Sequence, residues 1–143
     1  DAADPIGINV FAGNDKATVV TDTGVISDDI LRRLDDTTLL VLEANYDPHM
    51  LRFGPYQPFL KQRVASDEGH LSNEMAAQAL LMMKRPNFMQ VILAHRSENN
   101  NNAVLVTQTI GKILVDGGVR IGPEMKLQHG QPNEIVSMKS VKR

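Results

Sequence analysis

Apolar and polar positions along the chain follow two different periods, and the changes of period mark out the elements. Residues 6–11 set β-branched side chains against small or polar ones, as a strand does, and residues 16–21 repeat the pattern after the turn signal Gly13-Asn14-Asp15. The two runs predict a hairpin, which Asp22-Thr23-Gly24 ends abruptly. Ser27-Asp28-Asp29 reads as a helix start, with a hydroxyl to cap free N–H groups and acids at the positive end of the dipole, ahead of a short helix over 30–34. Residues 38–43 form a near-continuous apolar run, the mark of a strand buried on both faces. From 44 to 69 the chain is rich in Pro, Gly and polar residues and predicts short helical turns, one of them over 58–64.

The strongest helical period lies over 72–85, where Ala76, Ala79, Leu80 and Met83 recur at i, i+3, i+4 and i+7. Glu74 falls in its first turn, Lys84 and Arg85 in its last, and Pro86 stops it. A buried-type strand over 88–94 follows, then a polar loop over 99–102. A second helix carries Ala103, Val106, Ile110, Ile113 and Leu114 on one stripe and ends at Gly117-Gly118. The tail holds at most a short strand over 135–138 before a basic end at 139–143. No internal repeat or domain boundary interrupts this order, and strands alternating with helices predict one mixed α/β layered domain.

Composition narrows the function classes. The length of 143 residues suits one domain with a sizeable core, and 42% hydrophobic with 22% charged residues excludes a disordered chain. A net charge of -2 excludes binding to nucleic acid by bulk charge alone, although a local basic face stays open. The absence of cysteine rules out disulfides, a Cys-ligated zinc site and a thiol nucleophile, and is compatible with a cytoplasmic protein. No apolar run is long enough to cross a bilayer, so no membrane partner is expected. The first residue is Asp1 rather than Met, which leaves open a processed N-terminus or a start inside a longer chain.

Three polar sites follow apolar strands, where an α/β sheet edge presents side chains to a crevice: Asp22, residues 43–47 and His95. Aspartate and histidine are ligands for a borderline cation such as Zn²⁺. A fourth site, Gly69-His70-Leu71-Ser72, precedes the best helix. Each has a plainer reading. Asp22 before Thr23-Gly24 suits an ordinary turn, His95 a hydrogen bond to a loop carbonyl, and His70 a helix-capping loop. His49 and His129 stand in polar surroundings and read as surface residues, and Asn99 to Asn102 read as a solvated loop that caps a helix.

Several blocks in order carry a more specific signal: Asp1-Ala2-Ala3-Asp4-Pro5-Ile6-Gly7, Thr21-Asp22-Thr23-Gly24, Leu42-Glu43-Ala44-Asn45-Tyr46-Asp47, Met50-Leu51, Leu60-Lys61-Gln62-Arg63, Gly69-His70-Leu71-Ser72-Asn73 and Ala94-His95-Arg96-Ser97-Glu98-Asn99-Asn100. Together they resemble the C-terminal half of metallo-β-lactamase-fold hydrolases of the YycJ (WalJ) exonuclease-like type, and more distantly the ribonuclease Z branch. The resemblance covers residues 1 to 118. It implies one half of a four-layer αβ/βα sandwich that holds two divalent metal ions, Zn or Mn, at a sheet edge. It implies that Asp22 is the carboxylate shared by both metals, that His95 is the last imidazole ligand, and that His70 protonates the leaving group. A hydroxide available near neutral pH would attack phosphorus, with charge on the phosphoryl oxygens steadied by the metals.

The departures from the family pattern are equally definite. The main ligand motif, His-x-His-x-Asp-His, is absent, the family's ligand His before an Asp-Ala pair would fall just ahead of Asp1-Ala2, and Tyr46 stands where relatives usually have His. Two readings follow. In the first the chain is part of a metal-dependent phosphodiesterase, an exonuclease acting on DNA rather than RNA, with Lys61, Arg63 and Arg96 as phosphate contacts. In the second it is a non-catalytic half-fold or truncated fragment that acts by assembling with a partner chain or as a homo-oligomer, because a bare half-sandwich exposes an apolar sheet.

Overall fold

Every strand connection steps in the same direction across the sheet, and this single feature decides where the core and the site lie. The computed structural model describes residues 6–137. The strands are β1 (Ile8–Ala12), β2 (Asp15–Val20), β3 (Leu39–Glu43), β4 (Met89–Ala94) and β5 (Met125–His129). They form one mixed sheet in the order β1-β2-β3-β4-β5; β1 pairs antiparallel with β2, and all later pairs are parallel. The helices are α1 (Asp28–Leu34), α2 (Pro48–Phe53), α3 (Pro58–Val64), α4 (Asn73–Met82) and α5 (Ala103–Asp116). Right-handed crossovers between parallel strands laid down in one direction put their helices on one side of the sheet.

Burial follows from that. On the covered face Val20, Leu40, Leu42, Val91, Leu93 and Met125 pack in one cluster with Leu34 of α1, Ala76 and Leu80 of α4, and Ile110 and Leu114 of α5. Each of the Val, Leu, Ile and Met side chains contributes up to about 1.5–3 kcal/mol, the main driving force for this layer. The register brings Ile8, Val19, Val41 and Ile92 into one row on the other face, and Val10, Ala17 and Leu39 into the next. No described helix covers these rows, and Ile8, Val10 and Val19 are 51%, 58% and 37% exposed. The mixed α/β layered class therefore holds, with one face covered and one apolar face bare.

Helix ends show why the boundaries fall where they do. Ser27, Ser72 and Asn102 cap α1, α4 and α5 through side-chain oxygens. Asp47 caps α2, whose first residue is Pro48. The helix expected over 72–85 stops at Met82. Met83 is already extended, Lys84 turns away to donate its backbone N–H to Asp35, and Arg85 folds back to donate to the carbonyls of Leu80 and Leu81. Pro86 then bars a return to helical backbone at Arg85, the residue before it. The strand expected over 135–138 is not formed over 135–137, where Ile135 is 98% exposed, and residue 138 and the basic end lie outside the described residues. The edge strand is instead β5, whose Met125 and Leu127 face the core while Lys126 and Gln128 lie on the opposite face, Lys126 exposed and Gln128 half-buried.

Candidate metal centre

Strands β2, β3 and β4 are parallel neighbours, so their C-terminal ends lie at one sheet edge. Asp22 stands two residues beyond β2, Glu43 is the last residue of β3, and His95 follows β4 directly. Asp22 and His95 both adopt left-handed backbone, with φ of 58° and 52°. That conformation turns the chain sharply at the strand end, at a cost of order 1–3 kcal/mol each. His70 arrives from the segment between β3 and β4. Its backbone N–H donates to Val64 at the end of α3. Gly69 beside it lies so close that a Cβ would meet the Arg63 and Val64 carbonyl oxygens at 2.2 and 2.3 Å. Gly24 is equally constrained: a Cβ there would meet the Ser66 carbonyl oxygen at 1.9 Å, so the Asp22 loop packs its backbone directly on the loop that leads to His70.

The structure brings Asp22, His70 and His95 together: a carboxylate oxygen and one ring nitrogen from each imidazole all lie within 4.8 Å of one another. His95 Nε2 is 3.5 Å from Asp22 Oδ1, and the two imidazole centroids are 5.1 Å apart. A carboxylate with two imidazoles is a donor set that suits a borderline divalent cation, so the residues present fit part of a metal site. This is the one group of its kind among the described residues.

Glu43 organises the centre. Its side chain is fully buried, and its Oε1 lies 2.6 Å from His70 Nδ1 and 2.8 Å from His95 Nδ1. Oε2 accepts the backbone N–H of Thr23, next to Asp22, at 3.3 Å. An ionised carboxylate only accepts, so both Nδ1 atoms carry protons and both Nε2 atoms are left as electron-pair donors. Burial alone would push the Glu43 carboxyl up; the hydrogen bonds from His70 and His95, with their charges, outweigh it and hold the group below its ordinary value. The hydrogen bond to Glu43 raises the His95 pKa against partial burial, with the Glu43 and Asp22 charges adding to the rise. Glu43 was legible in the sequence only as a polar residue ending an apolar strand. Its burial among four apolar predecessors was the available signal for an ordering role.

These shifts carry a prediction of opposite sign for the metal-free and metal-loaded protein. The depressed Glu43 contributes stability present above about pH 4.5 and lost as pH falls through its lower folded value. The raised His95 contributes stability present below about pH 6.5 and lost as pH rises through its higher folded value. Metal, by contrast, needs neutral imidazole. From pH 6.5 upward the Tm should therefore fall in EDTA and rise with excess Zn²⁺ or Mn²⁺. Thermal melts across that range check it; a rising Tm in EDTA would contradict the Glu43–His95 pairing.

Other candidates fall elsewhere. Tyr46 is buried with Leu51 and Val64, and burial, then the Glu74 and Glu43 charges, push its phenol up; it serves as packing under α2 and α3. His49 is exposed, as expected. His129 is half-buried at the surface: it lies in β5 opposite Leu93, pairs through Nε2 with Thr107 Oγ1 at 2.9 Å, and has a buried Nδ1 without a hydrogen-bond partner. Burial, then the Arg96 charge, pushes its pKa down. The asparagine loop divides. Asn102 caps α5 as expected, whereas Asn101 is buried and exchanges hydrogen bonds with Asn73 at 2.8 and 3.1 Å, fixing the His95 loop to the start of α4.

No protein-family model matches the chain. Curated relatives do. The chain is 33% identical over 132 residues to Exodeoxyribonuclease YycJ of Bacillus anthracis, which takes in 92% of the chain and 50% of that protein. It is 35% identical over 124 residues to Exodeoxyribonuclease WalJ of Streptococcus pneumoniae, 86% of the chain and 46% of that protein. The chain is a homologue of the YycJ/WalJ exodeoxyribonucleases. These relatives have the metallo-β-lactamase fold, and the chain spans about half the length of each. No helix among the described residues is long and apolar enough to cross a membrane.

Proposed function

We propose that this chain is the C-terminal part of a metallo-β-lactamase-fold phosphodiesterase that degrades DNA from an end, in the cytoplasm, with two divalent ions. The observation that carries the proposal is the convergence of Asp22, His70 and His95 on one sheet edge, ordered by the buried Glu43. The names of the YycJ/WalJ relatives supply the substrate class. Asp22 and His95 are the metal-holding residues in this reading. Bound divalent ions supply Lewis-acid stabilisation of phosphoryl charge and hydroxide near neutral pH. His70, with its Nδ1–H fixed on Glu43, presents Nε2 to the departing oxygen; as the imidazolium it would carry a second proton there, pass it to that oxygen as the phosphorus–oxygen bond breaks, and return to the neutral Nδ1–H form.

The bare apolar rows of the sheet support a second element of the reading: the remaining half of the fold packs there, and the complete ligand set forms only on assembly. A catalytic Zn²⁺ takes three protein ligands and leaves a position open, and the missing His-x-His-x-Asp-His motif would complete two such sites. The test is reconstitution. A segment bearing that motif, joined to or mixed with this chain in Mn²⁺ or Zn²⁺, should release nucleotides from a DNA end. Val10→Lys with Val19→Glu, both on the bare face, should abolish complementation while leaving the chain folded. Absence of cleavage in every combination of metal and DNA end sinks the enzyme reading, and complementation unaffected by the double substitution sinks the packing surface.

A further inference from the structure

The stretch between the two imidazole-ordering elements carries a chemistry that the metal centre does not use. Residues 48–65 contain no Asp or Glu, yet hold Arg52, Lys61, Arg63 and His49 in a chain of net charge -2. The protein has four Phe and two Tyr, and Phe53, Tyr56 and Phe59 all fall here. The structure sorts these by burial. Tyr56 and Leu60 pack against Tyr46, Leu51 and Val64, which anchors α2 and α3 to the body. Phe53 and Phe59 are left 66% and 71% exposed. The Arg52 guanidinium lies 5.3 Å from the Phe53 ring centroid, the His49 ring is 4.6 Å from it, and Lys61 Nζ donates to the Arg52 carbonyl at 2.8 Å. Arg52 has no carboxylate partner among the described residues.

This surface is tied at both ends to the centre. At the start of α2, Asp47 donates its backbone N–H to the Asn100 carbonyl in the His95 loop, and Gly54 after α2 lies so near that a Cβ would meet Asn100 Oδ1 at 2.7 Å. At the end of α3, Val64 accepts the backbone N–H of His70. Two exposed phenyl rings, one of them with a guanidinium over it, offer flat faces for unpaired bases, and the cations of the same segment offer partners for the phosphates between them. Bases inside a duplex have no free face to give.

We propose that the α2–α3 surface is a binding strip for single-stranded DNA, with bases stacked on Phe53 and Phe59 and phosphates on Arg52, Lys61 and Arg63, leading a strand end to the metal centre. The choice of DNA rests on the reading of that centre as a DNA phosphodiesterase, so the test is run without metal or cleavage. Anisotropy of a labelled oligodeoxythymidylate with the full chain in EDTA should show salt-sensitive binding. Phe53→Ala with Phe59→Ala should weaken it about tenfold or more, with unchanged melting temperature and metal uptake. Arg52→Gln should reduce the slope of log affinity against log salt by about 0.7. An abasic oligomer of equal length should bind the native chain as weakly as thymidylate binds the double variant. Equal affinity for thymidylate and abasic strands, or equal competition by a duplex, overturns the strip whatever the reconstituted enzyme does. If binding behaves as expected and no assembly ever cleaves DNA, the strip stands and the phosphodiesterase reading fails.

Discussion

Asp22→Asn and His95→Ala will each remove stoichiometric Zn²⁺ or Mn²⁺ from the protein, and His70→Ala will not. The first two delete, respectively, the charge and the nitrogen that the proposed centre depends on. Asp22 and His95 have side chains 34% and 43% exposed, so their replacement leaves the core intact and folding is not at issue. His70 is nearly buried, its Nδ1 held at 2.6 Å by Glu43; its assigned task is proton delivery, which costs turnover rather than metal. Loss of a general acid typically lowers the rate by about 10²–10⁴. Metal analysis of the purified variants, with calorimetric titration, reads the first effect, and kcat of the assembled enzyme reads the second. Metal lost equally in His70→Ala would make that imidazole a third ligand and overturn its role as acid.

Glu43→Gln should be the most damaging single-atom change near the site. Oε1 accepts both imidazole N–H groups and Oε2 accepts the N–H of Thr23, so every direction around the carboxylate is a donor. An amide turned one way sets its NH₂ against Thr23, and turned the other way against two imidazoles. Either arrangement leaves buried donors unmatched, at about 1–3 kcal/mol, and loosens both rings. Metal affinity should fall by about 10–100-fold, the range seen when an ordering partner is removed. The fall of Tm with pH in EDTA should flatten in the same variant, because the hydrogen bond that raises His95 is gone. A variant with unchanged affinity and an unchanged pH profile would show that Glu43 does not order the pair.

Much of this architecture is readable from residue order, for identifiable reasons. The strands ending near Asp22, Glu43 and His95 have apolar runs buried in a parallel sheet, and α5 has a clean stripe ending at paired glycines. Local pattern fails where tertiary contacts decide. Strand β5 is an edge whose Lys126 and Gln128 dilute its hydrophobic signal, so the more apolar residues 135–137 drew the expectation instead. The last turn expected for α4 is given up as Lys84 turns away to Asp35 and Arg85 folds back onto the carbonyls of Leu80 and Leu81. At the site, residue types pointed to Asp22, His70 and His95 but not to what holds them, because the bond from Glu43 to His95 spans 52 positions. Asn101 looked solvent-facing for the same reason: its buried amide is matched by Asn73, 28 positions away.

The left-handed backbone at Asp22 sets the preferences of the chain against those of its chemistry. At φ 58° a glycine would rest more easily than an aspartate, and the carboxylate has little to hold it there beyond a 3.5 Å approach to His95. Selection for thermal endurance alone would erode that position toward glycine. Asp22→Gly should therefore relax the backbone at this corner while surrendering the grip, a trade in which endurance and usefulness part company.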